Sequence, residues 1–227
     1  MPSARDPIGP GSEADPDPGG GPAGMPLRRT PRQARSRQKL ARVLEAADRL
    51  LVAEGAEALT TTRVAAEAGV SVGALYQYLP DRDAIVDTLA DRYLARLETL
   101  MDSFIDRASR ETWPDPAAIL VDAFAGLYRS EPGLRALWFG RHLTERTREA
   151  DRAHKHAMAV GVHRILVAQR LLPDNAAAAT ACQTAFLAAD AVIQQAFRAD
   201  ADGAAALLEH LKIMLGSYLD RLTGTDA

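Results

Sequence analysis

Three observations predict an all-α protein. Apolar residues recur at three- and four-residue steps along most of the chain. Clusters of Pro, Gly, Asp and Asn divide those stretches. No run alternates with the two-residue period of a strand, which leaves helices packed on helices. The 227 residues are 47% hydrophobic, enough for one or two helical domains around a sizeable shared core. The order of the stretches predicts a three-helix N-terminal unit, a long connecting helix, and a larger helical C-terminal unit.

Residues 1–27 hold seven prolines and six glycines and bury too little apolar surface to offset ordering entropy, so a disordered tail is expected. Arg28 and Arg29 follow as a mobile, solvated leader that is also placed to reach phosphates or a minor groove. Thr30-Pro31 reads as an N-cap with Pro at the first helical position. The first helix then runs to residue 54, with Leu40, Val43, Leu44, Ala47, Leu50 and Leu51 on its apolar face. Arg35, Lys39, Arg42 and Arg49 fall opposite. Formal net charge is −3 for the whole chain, yet residues 28–49 carry eight basic residues against Glu45 and Asp48. A local basic patch on an acidic protein suits one DNA-binding face and excludes non-specific attraction by the whole surface.

Residues 59–82, LTTTRVAAEAGVSVGALYQYLPDR, organise the chain. Thr60 is a capping residue flanked by a Leu59/Val64 staple, and Val64, Ala65 and Ala68 give a narrow stripe that permits close helix packing. Gly69 ends this helix, since it adopts positive φ without Cβ strain. Ser71 caps the next, with Val70 and Leu75 repeating the staple. Two short capped helices about a glycine turn form a helix-turn-helix pattern. In the second, Leu75 and Leu79 point inward, so Gly73 and Gln77 lie on the opposite face, flanked by Ala74 and Tyr76. Small residues let that face approach a major groove, and Gln77 suits an adenine edge. Tyr76 is placed to meet phosphate or sugar and Arg82 to pair with a phosphate. The spacing alone is equally that of an ordinary helical hairpin.

Asp81 caps a helix expected to reach residue 107, with Ile85, Val86, Leu89, Tyr93, Leu94, Leu97, Leu100, Met101, Phe104 and Ile105 in one stripe. It leaves the small unit and enters the large one, as a lever would. After Trp113-Pro114-Asp115-Pro116, helices are expected to residue 130, over 134–142, over 144–169, over 175–198 and over 203–222. The last two are apolar on more than one side, through Ala181, Ala185, Ala189, Val192 and Ala196 and through Leu207, Leu208, Leu211, Met214, Leu215, Tyr218, Leu219 and Leu222. Such surplus argues for a partner helix pair.

A catalytic or metal site is not expected. His154 and His156 point to opposite sides of a helix, and His156 and His163 stand about 10 Å apart along its axis, too far for one ion. No nucleophile motif, phosphate-binding glycine loop or paired carboxylates occur in the sequence. A ligand pocket is the alternative: Phe186, Asp190, Gln194 and Phe197 share a helix face that mixes aromatic and polar groups. Trp138 and His163, together with Phe124, Tyr128, Phe139, His142, Met158, Val162 and Leu166, are candidates for the remaining wall. The same side chains also suit a core with no ligand. Cys182 is the only cysteine, which fits a reducing cytoplasm, and no apolar run reads as a signal peptide or membrane span. With only three lysines among 27 basic residues and many alanines, a high-GC bacterial source is the compositional expectation.

Residues 36–90 resemble the N-terminal domain of the TetR family of bacterial transcriptional regulators. The resemblance rests on Leu59-Thr60-Thr61, Val64-Ala65, Ala68-Gly69-Val70-Ser71, Gly73, Leu75-Tyr76, Tyr78-Leu79 and Arg82-Asp83, in order and without a gap. Leu79 stands where the family usually has an aromatic residue, and Arg82-Asp83 where Lys-Glu is commoner. The resemblance implies that residues 72–78 form the recognition helix, which makes Val72, Gly73, Ala74, Tyr76, Gln77 and Tyr78 candidates for DNA contact. It places Thr60 and Thr62 near the DNA backbone. It also implies a homodimer through the last two helices, about residues 175–222, and a small, often apolar effector bound in the C-terminal domain. The domains expected are a tail (1–27), a helix-turn-helix domain (28–83) and an effector-binding and dimerisation domain (84–227). The function expected is a cytoplasmic, ligand-responsive repressor on double-stranded DNA, with no cofactor and no enzymatic activity. A non-specific or architectural DNA-binding protein on the same fold is the alternative.

Overall fold

Side-chain caps determine where most of the helices begin. A computed structural model describes residues 31–140 and 143–224 of the chain. Its helices are α1 (Pro31–Glu54), α2 (Thr61–Glu67), α3 (Val72–Tyr76), α4 (Arg82–Ala108), α5 (Pro116–Ser130), α6 (Pro132–Phe139), α7 (Glu145–Ala168), α8 (Ala176–Ala199) and α9 (Ala205–Thr223). Thr60, Ser71, Asp81, Asp115, Thr144 and Asn175 each accept a hydrogen bond from the backbone amide three residues on. That satisfies an otherwise orphaned donor and is worth about 1 kcal/mol per helix start. The all-α class is as expected, with no strand among the described residues. The expected tail, Arg28, Arg29, the Thr30 cap and His142 lie outside them.

Two local features differ from the sequence expectation. A 3-10 turn, Ala56–Ala58, joins α1 to the Thr60 cap, entered through Gly55 at φ 80°. The helix expected over 134–142 starts two residues earlier, because Pro132 serves as its first residue, and ends at Phe139. Between α2 and α3 the chain turns through a Schellman motif. Gly69, at φ 63°, donates to Ala66, and Val70 donates to Ala65.

Packing makes α4 the spine. Ile85, Val86, Leu89, Tyr93, Leu94, Leu97, Met101 and Phe104 are buried along one stripe, while Leu100 and Ile105 are only half-buried at its margin. The stripe faces α1 near its start and α7 along its length. Gly161 allows the close α4–α7 approach, since a Cβ there would sit 2.6 Å from Cγ and 2.7 Å from Sδ of Met101. The core is continuous from Val43 in α1 to Leu211 in α9. Gln169, capping α7, closes the lower end: its amide donates to the carbonyls of Ala108 and Glu111, and its oxygen accepts from the Trp113 amide.

Candidate nucleic-acid interface and internal cavity

The α2–α3 pair presents a small, weakly charged face. Leu75 and Leu79 are buried, and Gly73, Tyr76 and Gln77 are exposed on the opposite side. Thr60 and Thr62 are exposed at the start of α2, and Val72, Ala74, Tyr78 and Arg82 are half-buried. Helical geometry ends at Tyr76 with Gln77 as C-cap, and the Tyr78 and Leu79 amides still turn back to Leu75. Two tyrosines fix the pair: the Tyr76 hydroxyl lies 3.4 Å from Thr61 Oγ1, and the Tyr78 hydroxyl accepts from Ser36 of α1 at 3.0 Å. Thr60 Oγ1 accepts from the Arg63 amide at 3.3 Å, which leaves its O–H to donate.

Charge around this face is divided between structural and free groups. Arg49 pairs with Glu67 at 2.9 Å and Arg63 with Glu54 at 2.5 Å, which ties α2 to α1. Arg35, Arg37 and Arg42 are exposed on α1, and Lys39 is half-buried. Arg82 differs from the simple phosphate-pairing arginine expected. Its Nη2 donates to the Ala56 carbonyl at 3.2 Å, and its Nε is buried without a partner. The guanidinium thus clamps the start of α4 to the 3-10 turn, which the sequence did not reveal.

The C-terminal helices surround a partly open cavity of about 120 Å³. Its walls are mostly apolar, with Leu97, Leu120, Phe124, Met158, Val162 and Ile193 among them. Of the pocket residues expected, Trp138, Phe186 and Asp190 line it, as do Phe124, Tyr128, Met158, Val162 and Leu166. His163 and Gln194 are not among the lining residues. His163 is buried elsewhere, with Nε2 3.3 Å from the Pro173 carbonyl. Gln194 sits one turn beyond Asp190, whose carboxylate accepts from its amide at 2.9 and 3.0 Å. Phe139 and Phe197 do not line it either; they stack on Tyr128, with centroids at 6.5 and 5.3 Å.

Two lining residues the sequence reading missed give the cavity its polar end. Lys155 lies 3.0 Å from Asp151 on the same helix and 3.1 Å from Asp190 on α8. Trp138 donates its indole N–H to Asp151 at 2.9 Å. Burial would lower the Lys155 pKa, but the two carboxylates outweigh it and hold it above its ordinary value. Burial, and then the Asp190 and Asp151 charges, push the Tyr128 phenol up. The i,i+4 spacing of Asp151 and Lys155 was the available signal.

Comparison with known proteins decides the family. Residues 43–89 match the family model described as bacterial regulatory proteins, tetR family, and residues 111–223 match the tetracyclin repressor-like C-terminal domain. The chain belongs to the TetR family. It is similar to the HTH-type transcriptional repressor DrrR1 of Streptomyces coeruleorubidus, at 42% identity over 65 residues, 29% of this chain and 24% of that protein. It is also similar to the nucleoid occlusion factor SlmA of Enterobacter sp. (strain 638), at 27% identity over 47% of this chain and 50% of that protein. The matches thus span half or less of these relatives. A TetR-family transcriptional regulator from Streptomyces coelicolor superposes with a TM-score of 0.59 at 25% identity, covering 81% of this chain and 99% of that one. The chain is thus a TetR-family transcriptional regulator with an N-terminal helix-turn-helix domain and a helical C-terminal domain.

One helix, Ala176–Ala199, is long and apolar enough by length and composition to cross a membrane. This corrects the expectation that no such run exists. Its hydropathy comes largely from alanine, which reads as a neutral helix former in sequence.

Proposed function

We propose that the chain is a DNA-binding transcriptional repressor, released from its operator by a small molecule held in the C-terminal cavity. The observation that carries this is the pairing, on one α4 spine, of the exposed Gly73-Tyr76-Gln77 face with a partly open, mostly apolar cavity. Residues 28–83 read DNA and residues 84–227 bind effector and dimerise. Gln77 and Tyr76 meet base edge and backbone, with Val72, Gly73, Ala74 and Tyr78 completing the inserted helix. Thr60, Thr62 and the α1 arginines meet phosphates. A homodimer through α8 and α9 sets two recognition helices about 34–36 Å apart, matched to a near-palindromic operator. The protein works in the cytoplasm by binding rather than catalysis. An effector that favours the DNA-incompetent spacing by a few kcal/mol empties the operator.

A second reading has one observation in its favour, the similarity to a nucleoid occlusion factor. In it the chain binds many sites without an effector. Fluorescence anisotropy on DNA flanking the gene, with random competitor and a salt series, separates the two. Competitor-resistant binding of one dimer per near-palindrome supports the repressor. A specificity ratio near one that disappears with modest salt supports the architectural reading.

A further inference from the structure

We propose that the cavity selects an amphipathic monocation, a protonated amine on an apolar body, with its ammonium seated against Asp190 and Asp151. The inference deepens the effector reading above and rests on it. Three charged side chains line the cavity: Asp151, Asp190 and Lys155. Lys155 stands between the two carboxylates at 3.0 and 3.1 Å, so one ammonium faces two carboxylates and one negative charge is left over. The raised pKa of Lys155 keeps that ammonium charged at neutral pH, so the imbalance persists.

Neighbouring groups do not remove it. His154 also lines the cavity, with its Nδ1 turned to the Glu98 carboxylate at 3.3 Å rather than to Asp151 or Asp190. Arg198 touches the cluster through Gln194 Oε1, at 3.4 Å, and its charge also acts on Tyr128 in the cavity wall. Its guanidinium lies exposed over the Phe139 ring, where water screens it. Gln194 and Trp138 supply neutral donors to Asp190 and Asp151, which satisfy lone pairs without supplying charge. Each carboxylate oxygen can accept more than one donor, so room remains for an ammonium. Tyr128, 6% exposed, lines the same cavity.

The remaining wall takes the body of the ligand. Leu97, Leu120, Phe124, Met158 and Val162 offer no charge and favour an apolar chain or ring. An anion of the same shape would meet two carboxylates for one ammonium, and a neutral molecule would leave the excess charge buried and unbalanced.

An isosteric series of n-octylamine, n-octanol and octanoate tests this with the full-length protein. Tryptophan fluorescence is the binding readout, because Trp138 donates to Asp151 in the cavity wall. The amine is expected to bind about tenfold or more tighter than the alcohol, and octanoate weakest. Asp190→Asn should lower the amine-to-alcohol affinity ratio by about tenfold, and Lys155→Gln should raise it. Circular dichroism confirms that each variant folds. Octanoate as the best ligand, or a ratio indifferent to both substitutions, overturns the proposal. Operator release measured in the same samples keeps the two readings apart. Release by all three compounds alike overturns the cation preference while leaving the effector reading intact. Preferred amine binding without release supports the site and overturns the effector reading.

Discussion

Single atoms decide several features of this molecule. Ser71 begins α3 by accepting from the Ala74 amide at 3.2 Å, and α3 is too short to hold itself together without tertiary support. Ser71→Ala is expected to lower stability by about 1 kcal/mol in urea melts. Gly133 is required by close approach rather than by φ: a Cβ there collides with Tyr93 Oη and Asp48 Oδ1, which are hydrogen-bonded to each other. Gly133→Ala should therefore cost about 1–3 kcal/mol by the same measurement. Burial pushes the Cys182 thiol up to about 11, well above the usual value near 8.5. The folded state holds this proton while the unfolded chain loses it earlier. The contribution to stability is thus full below the unfolded pKa and is lost as pH rises towards about 11. Alkylation of the native protein should be slow at neutral pH and rise about tenfold per pH unit below that pKa. Rapid stoichiometric labelling at neutral pH would show an open or mobile wall.

Among the elements, α4 and α6 link cavity to DNA unit through identifiable contacts. Trp138 of α6 donates to Asp151 and meets Tyr93 of α4 edge-on at 6.4 Å, and Tyr93 donates to Asp48 of α1. Arg92 holds the same carboxylate at 3.8 Å. Tyr93→Phe keeps the ring and deletes the tie to α1. We expect operator affinity with and without effector to converge, losing a coupling of about 1–3 kcal/mol. Anisotropy titrations of both states check this; an unchanged ratio would place the coupling elsewhere. On the reading face, Gln77→Ala should relax sequence preference by about 1–3 kcal/mol. Arg82→Ala should weaken binding to all sequences and also lower stability, because its clamp on Ala56 is lost. Comparing specific and random DNA, with a melt for each variant, separates these effects. Helix positions were legible because Thr60, Ser71, Asp81, Thr144 and Asn175 are local signals, complete within four residues. The 3-10 turn was not, since Ala-Glu-Ala also suits a continuing α-helix. The cavity was half legible. Trp138, Phe186 and Asp190 were found as aromatic and polar groups on plausible faces, whereas Asp151 and Lys155 were missed, having only their i,i+4 spacing to mark them. Only the packing of α8 against α7 turns that pair inward. His163 and Gln194 stand outside the wall, one against the Pro173 carbonyl and the other against the Asp190 carboxylate.

For the whole molecule, the decisive surface is the outer face of α8 and α9. Ile213 is 63% exposed, Leu187 48% and Met214 44%, with Tyr218 and Leu222 beside them. Only 22% of the most apolar stretch of α8 is buried within the chain, which leaves a helix pair with apolar surface on its outside. A second copy of the same pair, related by a two-fold axis, would bury that surface in a four-helix bundle. Ile213 and Leu187 are the residues to test because neither lines the cavity. Leu187→Glu combined with Ile213→Glu places a charge on the exposed apolar face of each helix. Sedimentation equilibrium should then report one chain instead of two. Affinity for the full near-palindrome should fall towards that for a half-site, while octylamine binding, read through tryptophan fluorescence, persists. A variant that still sediments as a dimer would move the interface off this face. Loss of DNA binding in a variant that remains dimeric would mean that the substitutions act on the fold rather than on half-site spacing. Liposome flotation of the wild-type chain tests the other way to cover the apolar face of α8; membrane association without a dimer in solution would replace the four-helix interface with a lipid surface.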